Sequence, residues 1–235
     1  LMSTVGLFAI SFLFRETYQT SQLKGKINIL KEFVNIKEVF CKPILNRYLL
    51  SFLFSMVAYG LFFSNLPVFL TRQFQPSSSL ISVILSGFMI ILSFSLIVAG
   101  KYIFRVMKEG KVVFLTQCIQ LVIYFFIAFC VDSLPFNIFL FLIIALTIAQ
   151  TYIGLLTLIS NAATKDWQGR VMGVVASLFA LTWGVGPILA SVWNHVSIGA
   201  PFFCSAFLVL FAFIVFPGLR ESRNNTLSGI TRKTH

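Results

Sequence analysis

The sequence predicts an all-α membrane protein of six full transmembrane helices, arranged as two three-helix inverted repeats. Three observations carry this. Six apolar stretches recur at about 48–70, 80–99, 112–131, 135–158, 170–193 and 199–217, each close to the roughly 20 residues that cross a bilayer as a helix. The 235 residues are 58% hydrophobic and 11% charged, against roughly 45–50% and about 25% in ordinary globular chains. The basic residues fall in alternate connections: seventeen of the eighteen lie on one side, with Arg72 the exception.

The net charge of +11 does not mark a nucleic-acid binder. That function needs a basic face with base-reading or stacking groups beside it, whereas these charges sit between apolar spans. The cysteines form no framework either. Cys118, Cys130 and Cys204 lie inside apolar segments and Cys41 in a basic loop, and none has metal-ligand spacing to another Cys or to His195 or His235. We expect no metal and no cofactor.

Residues 1–14 are apolar but short, covering about 21 Å as a helix against a bilayer core of roughly 30 Å. They lack the basic start and small-residue cleavage site of a signal peptide, and read as the end of a preceding transmembrane helix. Residues 15–47 form a polar linker with seven basic residues, Arg15 to Arg47. Within it Ile27, Leu30, Phe33, Val34 and Phe40 recur at helical spacing, which suggests either a short amphipathic surface helix or a solvated linker.

The six-span body, 48–217, follows. Its inner connections carry Lys101, Arg105, Lys108 and Lys111 after the second span, and Lys165 and Arg170 after the fourth. The tail, 218–235, carries Arg220, Arg223, Arg232 and Lys233. By the positive-inside rule both ends of the chain face the cytoplasm. The third span, with Tyr124, Phe125, Phe126 and Phe129, and the sixth, with Phe202 to Phe216, read as lipid-facing surface. The other four carry the small and polar residues, so the composition repeats every three spans, as two inverted repeats would.

No acidic residue falls inside a span, so a membrane-depth carboxylate of the kind proton coupling uses would have to come from outside this body. Thr147, Gln150, Thr151 and Gly154 share one face of the fourth span at mid-depth. An amide there needs partners, and cavity lining and interhelical bonding serve equally. Asn65 precedes Leu66-Pro67, where it could satisfy backbone groups that the proline frees. Tyr59 and Trp183 are mid-span aromatics suited to packing or to stacking on a flat ligand. Gln117 and Gln120 lie on the third span, whose lipid-facing character leaves their partners undefined.

In the fifth span Gly169, Gly173, Ser177, Ala180 and Gly184 recur every three to four residues, continued by Gly186-Pro187 and Ser191. On a helix they make a narrow seam, which lets a second backbone approach closely in lipid. The order Gln168-Gly169, Gly173, Gly186-Pro187 resembles the eleventh helix of the major facilitator superfamily, and most of all its tetracycline-resistance and multidrug antiporter branch. Phe12-x-x-x-Glu16-Thr17 is similar to the end of that family's sixth helix. Gly100, Arg105 and Lys108 fit its cytoplasmic loop signature Gly-x-x-x-Asp-Arg-x-Gly-Arg-Arg, with Phe104 and Met107 in place of the acid and second glycine.

The resemblance implies that this chain is the C-terminal six-helix half of a twelve-helix fold. The implied partners are the lipid bilayer, the N-terminal half and a small-molecule substrate. The implied function is secondary active transport by alternating access, as efflux of drugs or amphipathic compounds by antiport across a bacterial inner membrane. It also implies a cavity between the halves, with Thr147, Gln150, Thr151, Trp183, Tyr59 and Asn65 as the candidates to line it. Fold does not decide substrate, and metabolite uptake and a non-transporting membrane fragment are the alternatives. A membrane enzyme would need a nucleophile, acid–base pair or metal set, and the sequence offers none.

Overall fold

The computed structural model describes residues 42–129, 133–164 and 167–217. The expected helix end at 1–14, most of the 15–47 linker, the 218–235 tail, Lys165 and Asp166 lie outside the described residues. What is described is helical, with no strand among the described residues.

Helix α1, Pro43–Phe74, runs for 32 residues, about 48 Å and well beyond a roughly 30 Å hydrocarbon core. Pro43 opens it, at a position where the missing N–H costs nothing. Gln75 closes it in the left-handed conformation (φ 46°, ψ 42°). Helix α2, Ser78–Val106, starts on the Ser77 hydroxyl, which accepts from the Leu80 amide, and contains a π turn at Ser95–Ala99. Helices α3 (Glu109–Phe129), α4 (Leu134–Ala162) and α5 (Gln168–Asn194) follow.

Helix α6, Ala200–Val215, has only 16 residues. Among the described residues five helices are therefore long and apolar enough to cross a membrane, joined by one shorter apolar helix, where the sequence predicts six full spans. The shortening has a cause at each end. Pro217 disfavours helix at Phe216. At the start, a Cβ on Gly199 would lie 2.8 Å from the Ala128 carbonyl oxygen, so the chain enters α6 pressed against the end of α3.

α1 is the centre of the bundle. Its apolar window is 72% buried, against 17% for α2 and 28% for α5. It packs on α5, α6 and α4, while α3 packs on α4 and α6. The core forms two clusters. One is aromatic: the Phe62 ring meets Phe88, Tyr124, Phe141 and Phe202 at centroid distances of 5.5–6.0 Å. The other joins Leu45, Leu49 and Phe52 of α1 to Val113, Leu155, Val171 and Val175, towards the end that carries the basic residues.

The lipid-facing reading of the third span holds for one face, where Phe126 and Phe129 are exposed, and needs correction for the other. Half of the apolar window of α3 is buried, and the phenylalanines of α3 and α6 meet one another, Phe129 on Phe203 and Phe114 on Phe213 at 4.9 and 4.7 Å. Gln117 and Gln120 are fully buried. Gln117 donates to the Ser51 and Ser55 hydroxyls at 3.1 and 3.0 Å, and Gln120 donates to Thr151 at 3.1 Å. An amide in lipid has nothing to bond, so these two turn α3 inward. The least buried helices are α2 and α5, while α6 keeps Phe207 and Phe211 exposed.

Candidate functional site

A cleft of about 210 Å³ opens where α1, α2, α4 and α5 converge. Its walls are Tyr59 of α1, Leu92 and Leu96 of α2, Tyr152 of α4, and Phe179 and Trp183 of α5, closed by Met56, Ile148 and Ala149. No charged side chain lines it. The aromatic rings hold one another edge-on: Trp183 meets Tyr59 at 5.7 Å and 78°, Phe63 at 5.8 Å and 82°, and Phe179 at 6.2 Å and 81°. Tyr152 continues the wall, 5.7 Å from Phe179. Such edge contacts fix ring orientation and contribute about 0.5–1.5 kcal/mol each beyond burial.

Local sequence explains the placement. Phe179 and Trp183 are four residues apart and so stack on one face of α5. Tyr59 precedes Gly60, whose close contact with α5 brings Tyr59 beside Trp183. Trp183 keeps 38% of its surface exposed while Tyr59 keeps 7%, so one ring presents a face and the other supports it. Neither the Trp183 indole N–H nor the Tyr59 hydroxyl makes a hydrogen bond among the described residues. The cleft is thus an apolar aromatic slot with two unused polar tips.

Of the six residues expected to line a cavity, Tyr59 and Trp183 meet here. The other four lie elsewhere. Gln150 is buried and donates to the carbonyl and hydroxyl of Ser95, at 2.9 and 2.8 Å. The acceptor sits in the π turn: the Ser95 carbonyl takes the Gly100 amide five residues on and, with its second lone pair, the Gln150 amide of a neighbouring helix. Thr151 pairs with Thr116 at 2.8 Å and accepts from Gln120. The Thr147 hydroxyl turns back to the Ile144 carbonyl at 3.0 Å. Asn65 does not serve the backbone around Pro67; it accepts from the Asn194 amide at 2.7 Å and so ties α1 to α5. The polar face of α4 thus bonds to α2 and α3, and the adjacent apolar face, Ile148, Ala149 and Tyr152, meets the cleft.

The seam on α5 divides in two. Gly186 lies against Gly60, where a Cβ would sit 2.6 Å from the Gly60 carbonyl carbon. Gly169, Gly173 and Gly184 have nothing within 4 Å of such a Cβ, and Ser177, Ala180 and Pro187 are exposed. Most of the seam therefore faces away from the helices described. In the loop signature Gly100 is buried beside Ile153 and Gln150, while Arg105 and Lys108 are exposed. Phe104, standing for the acid, packs towards Gly154, 3.5 Å from where its Cβ would be.

Tyr152, Phe179, Leu92 and Leu96 were not singled out by the sequence. Only the i, i+4 pairing of Phe179 with Trp183 could have pointed to them, and aromatic pairs at that spacing usually mean core.

The family model for the Major Facilitator Superfamily matches residues 1–187 of the chain. No curated protein matches it. The match, five long apolar helices and a cleft built from α1, α2, α4 and α5 agree with one another, and the chain belongs to the Major Facilitator Superfamily, a family of membrane transporters.

Proposed function

We propose that the chain exports hydrophobic or amphipathic compounds by antiport, as the C-terminal half of an alternating-access transporter in a bacterial inner membrane. The observation that carries this is the slot between Tyr59, Tyr152, Phe179 and Trp183, which is aromatic, open on one side and without charge. A sugar, amino acid or phosphorylated metabolite would lose its water there and find only the Trp183 indole N–H and the Tyr59 hydroxyl to bond, at a cost of roughly 1–3 kcal/mol for each polar group left unpaired. A flat apolar compound loses nothing of the kind.

An opposing six-helix half would cover the open faces of α2 and α5, including Gly169, Gly173 and Gly184. It would also supply the coupling carboxylate, since the only acidic residue in the spans described, Glu109, stands at the first residue of α3 and not at membrane depth. Thr147, Gln150, Thr151 and Asn65 then act as supports of the slot rather than as its surface. Both chain ends would face the cytoplasm, in keeping with the charge asymmetry of the connections.

The test is flux in proteoliposomes holding the protein with its opposing half, under an imposed proton gradient. A lipophilic aromatic dye should be carried saturably, while a hexose and an amino acid should not. Gradient-driven uptake of the hexose or amino acid with no dye transport would establish the alternative, metabolite uptake.

A further inference from the structure

A second cavity, of about 780 Å³, lies far from the aromatic slot, at the end of the bundle that carries the basic residues. It is bounded by the first turns of α1, the start of α3 and the end of α6, and the α2, α4 and α5 residues of the slot take no part. Its lining changes character along its length. Asn46 and Arg47 supply the polar side; Leu50, Phe114, Phe213 and Ile214 supply the apolar wall. Phe114 and Phe213 are in ring contact at 4.7 Å, so that wall is continuous across α3 and α6.

We propose that this cavity seats one anionic glycerophospholipid, its phosphate at Arg47 and Asn46 and an acyl chain along Leu50, Phe114 and Phe213. Depth supports it. α1 is about 48 Å long, so its first turns project past the hydrocarbon and place Arg47 at headgroup level, with Leu50 one turn deeper. Charge supports it as well. Arg47 is exposed and makes no hydrogen bond or ion pair among the described residues. Lys111, outside the lining, stands one turn before Phe114 on the same face of α3. Glu109, the sole acidic residue among those described, does not line the cavity.

The start of α1 adds the positive end of a long helix dipole, which favours a phosphate near Asn46 and Arg47. α6 ends in the same cavity, and Ile214 and Val215 of its last turn line it. Carbonyls of a last turn want donors, so a headgroup that carries hydroxyls beside its phosphate, such as glycerol, fits better than a quaternary ammonium. A soluble phosphate compound would satisfy Arg47 but leave the aromatic wall unoccupied. Basic pockets between transmembrane helices are a recurring mode of lipid recognition. The seat itself does not depend on the transport reading; only the leaflet it faces depends on the orientation proposed above.

Native mass spectrometry of the delipidated full chain in detergent tests this. The probes are phosphatidylglycerol and phosphatidylcholine of identical acyl chains, with glycerol 3-phosphate as the chain-free probe. The wild type should retain the first phosphatidylglycerol at least fivefold more than phosphatidylcholine. Arg47→Gln, an exposed change, should abolish that preference without altering thermal melting. Leu50→Trp should lower retention of phosphatidylglycerol by narrowing the acyl wall. Equal retention of the two lipids by the wild type, or an undiminished preference in Arg47→Gln, would overturn the assignment. Glycerol 3-phosphate binding as tightly as phosphatidylglycerol would overturn the lipid in favour of a soluble phosphate.

Discussion

The backbones of Gly60 and Gly186 lie in direct contact. A Cβ on Gly186 would stand 2.6 Å from the Gly60 carbonyl carbon, and one on Gly60 would stand 2.8 Å from the Thr182 carbonyl oxygen. Because each obstacle is main chain, no side chain can swing aside. Gly186→Ala and Gly60→Ala should therefore push α1 from α5 and destabilise the bundle by about 1–3 kcal/mol, as overpacking commonly does. Gly184→Ala meets nothing within 4 Å and should leave thermal melting in detergent unchanged. Equal melting temperatures for Gly186→Ala and Gly184→Ala would show that the contact is not tight.

Gln150 offers a contrast. Its amide bridges α4 to the π turn of α2 through Ser95. Interhelical polar contacts in membranes are worth only about 0.6 kcal/mol on average, so Gln150→Leu should cost little stability and leave the protein in the membrane. Since Gln150 stands outside the aromatic slot, its loss should also leave substrate preference unchanged. Transport of several compounds, normalised to protein in the membrane, checks this. A several-fold change in relative preference would put Gln150 at the substrate after all.

The helices were legible in the sequence because lipid imposes one rule on every span: satisfy the backbone internally and keep apolar for the thickness of the core. Which face of a helix looks where was not so legible. Gln117 sits among Phe125, Phe126 and other lipid-type residues, and composition cannot say that two serines on α1 await it. In the same way, Gln150 drew attention as the polar residue at mid-depth, yet its partner Ser95 lies 55 residues away on another helix, beside a π turn that leaves no mark in hydropathy. Tyr59 and Trp183 were recognisable as candidates; that they meet at 5.7 Å depends on the glycine beside Tyr59 touching α5. Of the seam, spacing marked all its glycines alike, and only the packing separates Gly186 from Gly184.

Orientation is testable apart from transport. Ser133 precedes α4, and Lys108 lies in the turn between α2 and α3, so the length of α3 separates them. With the basic connections inside, Ser133→Cys should react with a membrane-impermeant maleimide in intact cells. Lys108→Cys should react only after permeabilisation. Native Cys41, Cys118, Cys130 and Cys204 must first be replaced by serine or alanine. Labelling of Lys108→Cys in intact cells would invert the orientation.

The aromatic slot can be examined through its own chromophore. The chain holds three tryptophans, Trp167, Trp183 and Trp193, and only Trp183 lines the slot. Replacing the other two with phenylalanine leaves one indole, 38% exposed and ringed by Tyr59, Phe63 and Phe179. The change at Trp167 removes an indole held under Lys42 and Arg170 at 5.0 and 5.4 Å. Phenylalanine keeps part of that cation–π attraction, which is worth about 0.5–1 kcal/mol at exposed sites. A flat lipophilic ligand that enters the slot should shift and quench Trp183 emission saturably, while a hexose should leave it unchanged. Tyr59→Leu or Phe179→Leu removes one edge-on neighbour, worth about 0.5–1.5 kcal/mol, and should weaken that ligand by roughly two- to tenfold. Both variants should leave the Asn65–Asn194 bond and the Gly60–Gly186 contact in place, because neither touches those atoms. Unchanged affinity in both, with normal melting, would remove the slot from substrate binding.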